Sequence, residues 1–257
     1  MDYGHEIEFG TFLTPANDPP EAAVLRSRLS EELGYDLVTF QDHPYQPGFH
    51  DTWTLLTWIA AQTERIRLAG NVLNVPMRPA PVLARASASL DLLSGGRFEL
   101  ALGAGGFWDA MAGMGVARRT PGESVEQLGE AIDVIRELWR ADERSATKYE
   151  GTYYQLKGAK RGPRPAHDIP IWLGAYKPRM LRLVGEKADG WLPSLSYLKP
   201  GDLERGNDII DAAAKDAGRD PREIRRLLNV SGDPAKPSAQ WVEELLALVL
   251  SNGIGTF

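Results

Sequence analysis

Four small residues, Gly103-Ala104-Gly105-Gly106, follow the apolar run 98–102 and form the segment of this chain best suited to contact a large ligand. A short strand that passes directly into glycine gives a backbone without side chains. Such a backbone either bends sharply or lies against something flat and large. A planar ring system or a phosphate fits the second case, and an ordinary glycine-rich turn fits the first. We predict a cofactor-binding segment here, with a plain turn as the alternative.

A second candidate for chemistry is the pair Asp42-His43, which ends the predicted strand 37–41. Histidine titrates near neutral pH, so it can pass a proton or donate a hydrogen bond to a developing anion. We predict that His43 and Asp42 are catalytic, with Asp42 orienting or binding. The alternatives are a histidine bonded to a loop carbonyl and an aspartate that caps the next helix.

Two asparagines, Asn71 and Asn74, lie towards the end of the predicted strand 66–75. Their amides carry both donors and acceptors and so suit the edge of a heterocycle. Asparagine is also a common turn former at such positions.

The segment Ala175-Tyr176-Lys177 leads from the predicted strand 171–173 into a helix. The exposed N–H groups at the start of a helix attract anions, and Lys177 adds a positive charge. These residues are predicted to bind an anion.

An alternation of short strands with helices must position these residues. Predicted strands are 7–13, 37–41, 66–75, 98–102, 171–173, 190–192 and 224–230, with an eighth beginning at 255; predicted helices are 19–33, 52–63, 79–93, 123–139, 179–187, 202–217 and 239–250. Segment 148–155 is predicted as a small inserted hairpin.

This alternation predicts an α/β fold, a (β/α)8 TIM-type barrel that forms one domain over residues 1–257. A doubly wound sheet is the rival, but segment 14–17 is no glycine cradle at the first strand-to-helix turn. In a barrel the strands bring the residues above together at their C-terminal ends. The last helix of a barrel is missing from this sequence, which predicts an open sheet edge or a partner that covers it.

Composition narrows the function. The 257 residues are 43% apolar and 25% charged, with a net charge of −6 and no cysteine. Thiolate nucleophiles, disulfides and cysteine-ligated metals are therefore excluded, and nucleic acid is disfavoured as a partner. The four histidines show no metal-ligand spacing, and no apolar run approaches the roughly 20 residues of a membrane helix. We expect a cytoplasmic protein with no metal site, no membrane contact and a small-molecule substrate.

An ordered series of short motifs resembles the bacterial luciferase-like monooxygenase family, in its branch of flavin- and coenzyme F420-dependent oxidoreductases. The motifs are TFQDHP at 39–44, TERIRL at 63–68, LDLLSGGRF at 90–98, LGAG at 102–105, GTYY at 151–154 and PIWLGA at 170–175.

The resemblance implies a barrel with a flavin or deazaflavin ring at the strand ends, from FMN or F420. It places His43 near the reactive ring and a bulge at Asn71-Val72 behind it, which in many members contains a non-proline cis peptide. It places segment 103–106 beside the ring and segment 175–177 at the cofactor phosphate. The implied reaction is hydride transfer or oxygen insertion on a small organic substrate.

Two departures limit the resemblance. Gly106 stands where sugar-phosphate dehydrogenases of the deazaflavin branch have a glutamate, and the reactive cysteine of true luciferases is absent. A non-catalytic flavin-binding protein and a barrel hydrolase that uses Asp42 with Asp109 remain alternatives. Because the family often dimerises, a homodimer is also expected.

Overall fold

A computed structural model describes residues 2–233 and 235–257. The chain forms two compact units. Here Thr11–Ile171 is called the central unit, and residues 2–10 with Trp172–Phe257 are called the terminal unit.

The central unit contains a parallel sheet, most of whose strands alternate with helices along the chain. Its strands are β1 (Gly10–Leu13), β2 (Leu37–Phe40), β3 (Arg67–Gly70), β4 (Leu73–Asn74), β5 (Phe98–Gly103), β6 (Thr147–Glu150) and β7 (Gln155–Ala159). Its helices are α1 (Ala22–Glu32), α2 (Thr52–Ala60), α3 (Ala80–Ser94), α4 (Trp108–Gly113) and α5 (Pro121–Trp139). The strand order is β1-β2-β3-β5, with β4 also beside β5.

Local sequence explains where these helices begin and end. Asp51 accepts a hydrogen bond from the Thr54 N–H and so caps the start of α2. Thr120 and Glu123 form a capping box at the start of α5. Gly95 ends α3 in the left-handed conformation (φ 72°), which glycine adopts without a steric penalty.

Strand β5 is the buried centre of this unit, since all six of its residues are buried. It pairs in parallel with β3 and with β4, and Asn74 lies opposite Gly103. The strand ends that carry Asn74 and Gly103 are therefore adjacent. Strands β6 and β7 form a separate antiparallel pair.

The terminal unit contains β9 (Gly190–Trp191), β10 (Arg225–Arg226) and all but the first residue of β8 (Ile171–Leu173), and these strands pair in parallel in the order β8-β9-β10. Gly10, the first residue of β1, also belongs to this unit. Its helices are α6 (Pro178–Lys187), α7 (Asp202–Asp216) and α8 (Ser238–Asn252). A buried Arg226 side chain crosses its interior. Its guanidinium bonds to Asn207 (2.7 Å) and Asp211 (2.5 Å) and lies 4.2 Å from the centre of the Tyr3 ring.

The last residues of the chain form backbone hydrogen bonds to the segments on both of their sides. Thr256 bridges in parallel to Glu8 and to Leu227, and it is buried. The Gly10 N–H donates to the carbonyl of Phe257, and the Leu228 N–H donates to that of Thr256. The predicted open edge is therefore wrong for these residues, because backbone hydrogen bonds occupy both of their sides.

The prediction of an α/β fold with parallel strands is confirmed, and several element bounds need correction. The predicted strand 66–75 is split into β3 and β4. Helix α4 falls in a segment that was predicted as loop. The predicted strand 224–230 has only two residues in strand β10. None of the helices in the described part of the chain has the length and apolar character required to span a bilayer.

Candidate active site

Asp42 follows β2 and has its carboxylate buried, with none of the side chain exposed to solvent. One oxygen accepts from Arg78 Nη2 (2.8 Å). The other accepts from Arg78 Nε (3.0 Å) and from the backbone N–H of Asn74 (2.9 Å). Arg78 also bonds Asp51 at 2.7 Å. Asp42 does not cap α2, because Asp51 fills that role. Asp42 instead fixes the strand end at Asn74.

Burial lowers the pKa of Arg78, but its hydrogen bonds to Asp42 and Asp51 outweigh that effect and raise it above the usual value. The guanidinium therefore stays charged. A charged, bidentate contact of this kind offsets the free-energy cost of burying a carboxylate.

His43 is half-buried beside Asp42, in a cluster of aromatic rings. Its Nδ1 lies 2.6 Å from the hydroxyl oxygen of Tyr45. The edge of Phe107 meets the imidazole at 87°, with 5.3 Å between the ring centres, and Phe49 lies at 6.4 Å. Phe107 is itself 60% exposed. The described residues give His43 Nε2 no hydrogen-bond partner, so that nitrogen can bond to a ligand.

The charge state of His43 follows from its surroundings. Burial lowers the pKa of His43, while the nearby Asp42 carboxylate raises it by less. Burial and the Asp42 charge together raise the pKa of Tyr45 to about 12. Both side chains are therefore neutral at pH 7.

The peptide bond between Asn71 and Val72 is cis, which confirms the geometry implied by the family resemblance. The Asn71 amide donates to the Thr39 hydroxyl at 3.2 Å. The Asn74 side-chain oxygen is buried and accepts no hydrogen bond in the described part of the chain. That oxygen is the one orphaned acceptor among the predicted site residues described, and a donor on a bound heterocycle would satisfy it.

Two positions of the segment Gly103–Gly106 require glycine because of the backbone conformation or neighbouring side chains of the protein itself. A Cβ at Gly103 would lie 2.6 Å from Cγ2 of Val72. Gly105 has a φ of +87°, and a Cβ there would lie 3.0 Å from Met111 and Pro76. Only at Gly106 is the space around a Cβ open. Contact of Gly103, Ala104, Gly105 and Gly106 with a cofactor stays a prediction.

In the terminal unit, the C-terminal ends of β8 and β9 are joined by hydrogen bonds. The Tyr176 hydroxyl accepts from the backbone N–H of Ser194 (2.9 Å), and the Ser194 hydroxyl accepts from the Asn229 amide (3.0 Å). The carbonyl of Ala175 accepts from the Trp191 indole at 2.9 Å. Lys177 precedes the first residue of α6 and is exposed. Phosphate binding by segment 175–177 stays a prediction.

A hydrolase with paired carboxylates lacks support in this arrangement. Asp109, the second carboxylate of that hypothesis, is 97% exposed and pairs with Arg118, while Asp42 is held by Arg78. Among the residues that the structure describes, no three histidine or acidic side chains are grouped as a metal site.

The sequence alone did not predict a role for Arg78 or for Tyr45. Arg78 is 36 positions from Asp42, and the pairing depends on tertiary structure. Tyr45 contacts His43 across a loop, where no helical or strand periodicity predicts which side chains meet. A tyrosine two residues after a candidate catalytic histidine is the only signal that was available.

Comparison with known proteins identifies the family of this chain. The sequence profile of the luciferase-like monooxygenase family matches residues 7–253. The chain belongs to this family.

Several relatives are named for F420 or for a pterin substrate. The chain is 34% identical over 209 residues to the F420-dependent glucose-6-phosphate dehydrogenase of Microbacterium testaceum, covering 79% of this chain and 61% of that protein. It is 35% identical over 220 residues to the 5,10-methylenetetrahydromethanopterin reductase of Methanolobus tindarius, covering 85% of this chain and 63% of that protein.

A solved structure supports the same relationship. The coenzyme F420-dependent tetrahydromethanopterin reductase of Methanopyrus kandleri superposes with a TM-score of 0.73 at 28% identity, covering 87% of this chain and 65% of that one. The chain thus spans a little under two thirds of the length of these relatives.

Proposed function

We propose that this chain is an oxidoreductase that binds coenzyme F420 or FMN and acts on a small organic substrate by hydride transfer or oxygen insertion. The observation that carries the proposal is the environment of His43. An imidazole lies at a strand end with Nδ1 occupied, Nε2 unpartnered in the described structure, and aromatic rings around it. Relatives named for F420 add support.

The residues present fit a flat heterocycle with polar edges. Phe107 and Tyr45 offer apolar faces, His43 offers a ring nitrogen, and Asn74 offers a buried acceptor that lacks a donor. When bound, the cofactor supplies the redox chemistry, and the protein supplies orientation and electrostatics. The predicted binding residues Asn71, Val72, Asn74 and Gly103–Gly106 of the central unit belong to this proposal. Phosphate binding by residues 175–177 of the terminal unit is a separate prediction.

His43 would act as a neutral base or hydrogen-bond donor, because its lowered pKa leaves it uncharged at pH 7. Asp42 would help to position the site residues, because its buried carboxylate accepts a hydrogen bond from the Asn74 backbone N–H and is adjacent to His43 in the sequence. We therefore assign Asp42 an orienting role.

The substrate is proposed to differ from a sugar phosphate, because Gly106 occupies the position at which the resemblance implies a glutamate. The single (β/α)8 barrel over residues 1–257 and a homodimeric state also remain proposals, which rest on the resemblance described above. A non-catalytic flavin-binding role is the alternative.

Titration of the purified chain with F420 and, separately, with FMN tests the proposal. We expect saturable changes in cofactor absorption or fluorescence with one of the two. Reduction or oxidation of the bound cofactor by a panel of small alcohols, aldehydes and ketones then separates an enzyme from a storage protein. If neither cofactor binds, the proposal is wrong; if one binds but no substrate changes its redox state, the non-catalytic alternative holds.

A further inference from the structure

Tyr45 and His43 lie together among the aromatic rings and are also joined through their polar atoms. Their 2.6 Å separation between the hydroxyl oxygen and Nδ1 is that of a good hydrogen bond. The two rings are tilted by 49° with 5.4 Å between centres, so the contact is made through the polar atoms and not by stacking.

Two arrangements of hydrogen would give this bond. In the first, the phenol O–H donates to a bare Nδ1, and the imidazole proton is on Nε2. In the second, Nδ1–H donates to the phenol oxygen, and Nε2 is bare. In the second arrangement the phenol hydrogen has no acceptor among the described residues. A phenol is also the stronger donor of the two groups, as its pKa is the lower. The first arrangement is therefore favoured.

The charged groups around the pair do not change this assignment. Asp42 is the carboxylate that acts on both side chains, and Arg78 neutralises it with a bidentate contact. With its carboxylate paired, Asp42 does not draw a proton onto His43 strongly enough to overcome burial.

We propose that Tyr45 is a positioning residue that fixes His43 as the Nε2–H tautomer, so that His43 presents a hydrogen-bond donor to an acceptor atom of the bound cofactor or substrate. This inference rests on the proposed function for the identity of the acceptor. The tautomer itself belongs to the ligand-free chain. The ligand would be one with a carbonyl or anionic atom at the position facing Nε2.

Tyr45→Phe is the matched test, since it removes the hydroxyl and keeps the ring. In long-range ¹H–¹⁵N spectra of the full ligand-free chain, His43 should show a protonated Nε2 and a bare Nδ1 in the wild type. In Tyr45→Phe we expect a mixture of tautomers and a higher pKa of His43, because a bond that favoured the neutral form is gone. Tyr153→Phe, which removes a hydroxyl bonded to Glu126, is the control and should leave the His43 signals unchanged.

The same variants are then titrated with the cofactor that binds the wild type. Tyr45→Phe should bind it about tenfold more weakly, as expected for a donor that is no longer held in place, while Tyr153→Phe should bind normally. A wild-type His43 protonated on Nδ1, or spectra that do not differ between wild type and Tyr45→Phe, would overturn the inference even if the cofactor binds. Absence of any cofactor binding would instead refute the proposed function and leave the tautomer result standing.

Discussion

Replacement of Arg78 should show how much of the free energy of unfolding depends on the ion pair between Arg78 and Asp42. In Arg78→Met the aliphatic stem is kept, but the buried Asp42 carboxylate loses two hydrogen bonds and its countercharge. It keeps only the Asn74 N–H. Breaking a buried pair in this way costs about 3–5 kcal/mol of the free energy of unfolding.

Urea denaturation of wild type, Arg78→Met, Asp42→Asn and the double variant forms the assay. The double variant has no buried unpaired charge, so it should regain about 2 kcal/mol or more relative to the sum of the single losses. Arg118→Met is the control, since its partner Asp109 is exposed, and it should change stability by less than about 1 kcal/mol. If Arg78→Met lies within about 1 kcal/mol of wild type, or if the single losses simply add, then Arg78 does not stabilise the Asp42 carboxylate as described here.

Three further predictions concern other parts of the two units. Gly103→Ala should destabilise the fold by about 1–3 kcal/mol through a clash with a valine side chain, whereas Gly106→Ala should leave the free energy of unfolding nearly unchanged; equal losses in urea melts would contradict this. Glu99, at an ion-pair distance of 3.8 Å, and the hydrogen-bonded Asp91 raise the pKa of His167 despite its partial burial. The stability that this pairing contributes is complete below about pH 6.5, the pKa of histidine in the unfolded chain, and is lost as the pH rises through the raised pKa of the folded state. His167→Gln should therefore reduce the change in the free energy of unfolding with pH in that window. An unchanged slope would count against this prediction. Arg226→Met should cost about 3–5 kcal/mol, because the Asn207 amide oxygen and the Asp211 carboxylate lose the guanidinium, although Asp211 keeps the Tyr3 hydroxyl as a donor; a melting temperature equal to that of wild type would be inconsistent with this.

The sequence predicted the order of elements well, because strand and helix periodicities are local. Asp42-His43 was placed correctly after β2, and the predicted helix 79–93 corresponds closely to α3 (Ala80–Ser94). The eighth strand was identified from three residues, and Thr256 does pair with residues on both sides.

The details of the candidate site could not be predicted because they depend on tertiary neighbours. The requirement for glycine at Gly103 comes from Val72, which lies far back along the chain. The partner of Asp42 is Arg78, brought near by the path of the chain through β3 and β4. The short strand β10 also differs from its predicted length, since Leu227 and Asn229 beyond it form only isolated bridges.

Amide and imidazole chemical shifts of the full chain, recorded while F420 or FMN is added, test most directly whether a redox ring binds at this strand end. We expect the Nε2 signal of His43 and the backbone N–H signals of Gly105 and Gly106 to shift together and to saturate with one cofactor per chain. Saturable binding that leaves all of these signals in place and perturbs only distant residues would contradict it.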